Sequence, residues 1–132
     1  LAPVLQRIGQ TAEDAGFASL WVMDHFFQIE MAQYADACNL YAFEGADVVR
    51  AKLAVLRRHC DEIGRPFDEI ERTAIGIVDI GPGKMSSQEI IDHCHTMSDA
   101  GIQHLVLSLA RVHEIMPIEK MGQEVIPAVS RF

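Results

Sequence analysis

Short apolar runs alternate with helix-period segments along this chain, and glycine or proline closes nearly every segment. That alternation constrains the fold more than any other feature. Consecutive strands joined through helices need crossover connections, and such connections build a parallel sheet covered by helices.

The first helix follows Pro3, a residue tolerated in a first helical turn, with Val4, Ile8, Ala12 and Ala15 at helical spacing. Gly16 closes it as a left-handed cap would. Ser19 to Met23 is a continuous apolar run, the pattern of a strand buried on both faces. Ala37 to Tyr41 reads as a second short strand, ending near Asn39. Asp47 is predicted to cap a helix running from Val48 to about Ile63. Its apolar stripe is Val49, Leu53, Leu56, Cys60 and Ile63, and Gly64 and Pro66 end it. A turn at Phe67 to Ile70 leads to a third strand, Thr73 to Ile80, broken by Gly81-Pro82-Gly83. Ser86 and Glu89 form a capping box ahead of Ile90, Ile91, Cys94 and Met97 in a helix that ends at Gly101. His104 to Leu109 is a fourth strand. The last helix is predicted over Ile118 to Ile126, stopped by Pro127. The sequence "Asp-Ala-Gly, then an apolar strand" occurs twice, at Asp14 to Gly16 and at Asp99 to Gly101.

The expected fold is therefore α/β, one domain over residues 1–132, with about four parallel strands and flanking helices. In such sheets ligands bind beyond the carboxyl ends of the strands. Those ends are Asp24-His25, Asn39 to Tyr41, Asp79 to Lys84, and Ser108 to Arg111.

A net charge of −8 argues against nucleic acid and anionic membrane as partners, because both need a basic face. No apolar run approaches the roughly 20 residues of a membrane span. The start, Leu1-Ala2-Pro3, lacks a methionine and a charged-then-apolar leader, so no signal peptide is expected and a processed or truncated start is. Cys38, Cys60 and Cys94 have no paired spacing and read as free thiols of a reducing, cytoplasmic compartment.

Asp24-His25 is the leading candidate for chemistry. A histidine at a strand end can bond a carbonyl, stabilise an anion or move a proton, since it titrates near neutrality; the plainer alternative is a histidine that only caps the strand. His59-Cys60 and His93-Cys94-His95 hint at a metal, but neighbours on a helix point about 100° apart and no metal-ligand spacing is present within either helix. Gly81 to Ser86 places glycines and Lys84 before a helix and so hints at phosphate, although it lacks P-loop spacing and the capping box already explains Ser86 and Glu89. Phe26 and Phe27 could wall a flat cofactor, because adjacent rings on an extended chain cannot share one face.

The stretch TAEDAGFASLWVMDHFFQI resembles the first helix and second strand of the luciferase-like monooxygenase superfamily, in its deazaflavin-dependent oxidoreductase branch. AQYADACNLYAF with VVRAKLAVLRRHCDEIGRPFDEIERT resembles that family's sixth strand, its following helix and the entry to the seventh. AGIQHLVLSL through VIPAV is similar to the eighth strand and closing helix.

The resemblance implies a partial (β/α)8 TIM-barrel-like fold holding the second, sixth, seventh and eighth strand equivalents, in a family whose full barrel runs to about 250 residues. It implies a cofactor, FMN or the deazaflavin coenzyme F-420, with His25 near its reactive face and Asp24 beside it. Phe26, Asn39 and Ser108 join His25 as expected cofactor-binding residues. The implied activity is hydride transfer to, or monooxygenation of, a small organic substrate. A half-barrel would leave an inner face uncovered, lined by Leu20 or Trp21 with Leu105 and Leu107, so a homodimer or higher oligomer is expected. The alternatives are a non-catalytic shortened relative that binds a flavin-type ligand or merely assembles, and a fragment completed by a separate chain.

Overall fold

The computed structural model describes residues 2–17 and 37–130. The first predicted strand, Ser19 to Met23, and the residues Asp24, His25 and Phe26 lie outside that range.

Helix α1 spans Ala2–Asp14, strand β1 Ala37–Tyr41, helix α2 Ala46–Ile63 and strand β2 Glu71–Val78. Helix α3 (Ser87–Asp99) and strand β3 (His104–Leu109) follow, and then the short helices α4 (Met116–Lys120) and α5 (Ile126–Val129), joined by a widened π-type segment at Met121–Val125. The described strands form a sheet in the order β1-β2-β3. β1 pairs parallel with β2, Asn39 opposite Thr73. Gln103 N–H donates to Arg72 O and Ala110 N–H to Val78 O, so β3 climbs β2 in the same direction. The protein is α/β with parallel strands and helical crossovers, as the alternation predicts.

The chain divides into two compact units. The first holds residues 1–26, 77–94 and 108–132, and the second holds 27–76 and 95–107. In the second unit, Val49 and Leu53 of α2, Met97 of α3 and Ala100 just after it bury against Ala74 of β2. In the first, Ile8 and Ala12 of α1 bury against Ile115 and Ile118. Each cluster is the apolar stripe of an amphipathic helix removed from water.

Local signals explain most helix ends. Gly64 holds φ 69° and ψ 26° after α2, where an L-residue would meet its own carbonyl, and its N–H returns to the carbonyls of Cys60 and Asp61. Ser86 and Glu89 make the predicted reciprocal cap: Glu89 N–H donates to Ser86 Oγ at 3.2 Å and Ser86 N–H to Glu89 Oε2 at 2.8 Å.

Several expectations are corrected. α2 starts two residues earlier than Asp47 capping would allow; Gly45 occupies the cap, and Asp47 sits in the first turn bonded to Arg50 at 2.8 Å. A carboxylate there complements the positive amino end of the helix without capping it. β1 has the expected bounds, Ala37–Tyr41, but Asn39 is mid-strand and not at its end, because its register with Thr73 continues to Tyr41 opposite Ile75. β2 starts and ends two residues before the predicted limits, since Ile80 leaves the ladder to bridge Met85. Ile63, placed on the buried stripe, is 62% exposed because the stripe drifts off the core in the last turn. Leu105 packs on the helix-covered core of the second unit and does not line an open face. Pro127 does not stop the last helix. The wider turns of Met121–Val125 relieve the clash that a proline ring makes with the carbonyl four residues back, and helix continues through Ile126–Val129.

Candidate functional site at the carboxyl ends of β2 and β3

Adjacent parallel strands end side by side at Val78 and Leu109, and a charged residue follows each within two positions. Asp79 follows β2 and Arg111 follows β3. Arg111 Nε and Nη2 both donate to Asp79 Oδ1, at 3.0 and 2.6 Å. Nη2 also reaches Ile80 O at 3.3 Å, and Nη1 donates to Glu114 Oε2 at 2.9 Å. Lys84 lies 3.4 Å from the other carboxylate oxygen, Oδ2. The loops after the two strands are thus tied together by one carboxylate held between two cations.

The backbone is shaped for this contact. Arg111 is left-handed (φ 54°, ψ 33°), and Ile115 holds φ 65° with ψ −42°, a region that branched side chains avoid. Such residues cost about 1–3 kcal/mol each. Ile115 persists there because its side chain is buried against Ile8, Ala12 and Ile118. Gly81 lets the loop close over the guanidinium, since a Cβ on it would stand 3.3 Å from Arg111 Nη2 and 3.2 Å from Met116 Cε.

Hydrogen bonding to Arg111 outweighs the opposing effect of desolvation and, aided by Lys84, holds the Asp79 carboxyl below the usual carboxylate range. The same pair raises Arg111 further. Asp79 is therefore ionised at neutral pH, with both oxygens engaged. It orients Arg111 and braces the two loops; it is not poised to take a proton. Lys84, the lysine of the Gly81 to Ser86 loop, is occupied by Asp79, and that loop is a turn leading into a capped helix. Ser87 and Glu124 also hydrogen-bond, joining the start of α3 to the π-type segment.

Asn39 and Ser108, two of the sequence-predicted site residues, fall in different units. Asn39 is exposed on β1, and its Oδ1 accepts from Thr73 Oγ1 at 3.0 Å, while its amide nitrogen has no partner among the described residues. Ser108 is exposed one residue before the end of β3. His25, Asp24 and Phe26 lie outside the described residues. Asp79 and Arg111 were recognisable as strand-end residues from their spacing. Their pairing was not, because 32 residues separate them and no local pattern couples the two loops.

Burial raises the thiols of Cys38 and Cys94, so both stay protonated and are poor nucleophiles. All three cysteines are free, and Cys60 is buried as a small hydrophobe. Among the described residues, no cluster of three or more His, Cys, Asp or Glu could hold a metal ion. No helix among them is long and apolar enough to cross a membrane.

No protein-family model, curated protein or solved structure matches the chain.

Proposed function

We propose that this chain is a shortened luciferase-like protein, a partial (β/α)8 barrel that binds FMN or the deazaflavin coenzyme F-420 and acts as an oxidoreductase on a small organic molecule. The observation that carries the reading is the run of consecutive parallel strands β1-β2-β3 with charged residues at the carboxyl ends of β2 and β3, the pole where such folds bind ligands.

Asn39 and Ser108, each within its own unit, have side chains whose polarity suits such a group. Asn39 offers an amide donor, with its oxygen occupied by Thr73, and a flavin-type ring presents carbonyl acceptors along its edge. Ser108, in the other unit, carries a hydroxyl one residue before the end of β3. When bound, the cofactor supplies the hydride chemistry. His25 would hold or pass a proton beside it, with Asp24 setting the charge of the imidazole, and Phe26 would exclude water. The carboxylate of Asp79 would brace the pole and move no proton. Acidic net charge and free cysteines are in keeping with a reducing cytoplasm.

Titration of the purified chain with FMN and with F-420, followed by visible spectroscopy, tests this. Binding is expected to shift the spectrum, and His25→Ala is expected to keep the shift while losing turnover. If neither cofactor perturbs the spectrum, the cofactor reading is lost.

A second reading is a non-catalytic relative that assembles as a half-barrel. It is favoured by the full engagement of Asp79 and by large apolar side chains left in water: Ile77 is 70% exposed, Phe43 66% and Tyr41 54%. In either reading a homodimer or higher oligomer would cover such groups. Light scattering should return at least twice the 14.7 kDa of one chain, and a clean monomer would remove the assembly.

A further inference from the structure

At the opposite, amino-terminal ends of the strands, the second unit contains an open cleft of about 440 Å³ between α2, the turn before β2 and the loop before β3. That volume suits a small organic molecule. Arg50, Arg57, Arg58 and Arg72 line it against only Asp61 and Asp68, an excess of positive charge on a chain whose net charge is −8.

Three of these arginines have carboxylate partners. Arg50 bonds Asp47 at 2.8 Å, Arg58 lies 3.8 Å from Glu62, and Arg72 lies 3.4 Å from Asp68. Arg57 has none among the described residues, and its guanidinium rests 3.9 Å from the centroid of the Phe67 ring. Arg72 stands 4.7 Å from the same ring. Its Nε donates to Gly101 O at 3.1 Å, and its Nη1 is shared among Phe67 O, Ile70 O and Asp68. Its Nη2 makes no hydrogen bond among the described residues. The cleft therefore holds two guanidiniums with unused donors, one anchored by backbone carbonyls and one laid on an aromatic face.

We infer that this cleft binds an organic phosphomonoester, its phosphate accepting from the unused donors of Arg57 and Arg72. A phosphate carries roughly 1.5 to 2 negative charges at neutral pH and spreads its oxygens out of one plane, so it accepts from two separate guanidiniums where a carboxylate would fork onto one. Phe67, Ala54 and Ala100 supply the apolar wall for the organic part.

Phenyl phosphate, titrated at low ionic strength and followed by backbone amide shifts, tests the site. Saturable shifts are expected at residues 50–61, 67–72 and 101. Arg57→Gln, at an exposed position with no ion pair to break, is expected to weaken binding about tenfold, the scale of one charge-assisted hydrogen bond. Arg7→Gln removes the same charge from the other unit and is expected to leave binding unchanged. Absence of saturable shifts, or equal weakening by both substitutions, would overturn the site in favour of diffuse charge attraction.

Discussion

The two units reach stability by different means. The second is regular: α2 packs one apolar stripe on β2 and α3, and Val49 and Ala74 have no solvent exposure. The first is irregular. Among the described residues, the two non-glycine positions with positive φ, Arg111 and Ile115, belong to it, and so do the π-type segment and the Asp79 network. A unit that closes by burying helical stripes tolerates ordinary backbone. A unit that must hold charged loops at strand ends uses strained backbone and ion pairs, and the apolar contacts of Ile115 and Ile118 offset that strain.

Truncation of the cores probes this contrast most strongly. Met97→Ala in the second unit and Ile118→Ala in the first are each expected to cost about 2–5 kcal/mol, since both side chains are about 1% exposed. Urea melts monitored separately at Trp21 fluorescence and by far-UV dichroism measure it. If each substitution lowers one common transition, the distinction between the units does not extend to their unfolding. Gly122→Ala comes next, at about 1–3 kcal/mol, because the new Cβ would stand 2.5 Å from Ala15 Cβ and 2.8 Å from Ala15 O. Pairing it with Ala15→Gly should restore only part of the loss, as two of the three obstructing atoms, Ala15 O and Cα, are backbone. An unchanged melting temperature for Gly122→Ala would contradict the close approach of α1 to the π-type segment.

The smallest effect concerns the Asp79 carboxylate, which, like its Arg111 partner, is about a third exposed. The folded state binds the Asp79 proton less tightly than the unfolded chain does. Its contribution is thus present above the unfolded carboxyl pKa of about 3.9 and is lost as pH falls through the lower folded value. The stability gap between the protein and Asp79→Asn should be constant near neutrality and close in the acid range below about pH 4. A gap that instead widened on acidification would reverse the sign assigned to the Arg111 contact.

Legibility in the sequence followed the range of the interaction that decides each feature. The capping box at Ser86 and Glu89, the left-handed Gly64, and the turn at Phe67–Glu69 depend on residues within four positions of each other, and all were readable. The cap at Asp47 was misread because acidic residues favour both the cap and the first turn. Pro127 was misread because a proline usually breaks a helix, and the wider turn that accommodates it leaves no pattern in the residues before it. At the candidate site, Asp79 and Arg111 could be placed at strand ends, yet their contact could not be inferred from either strand alone.

The sequence by itself determined the α/β alternation, the parallel sense of the strands and the ends of most helices, because glycine, proline and apolar periodicity act over a few residues. Only the tertiary structure decided that Arg111 turns left-handed to clasp Asp79, that Arg57 and Arg72 meet at Phe67, and that Asn39 is fixed mid-strand by Thr73. Each of those contacts joins segments brought together by sheet register and helix packing, and their energy is realised only once the chain has folded.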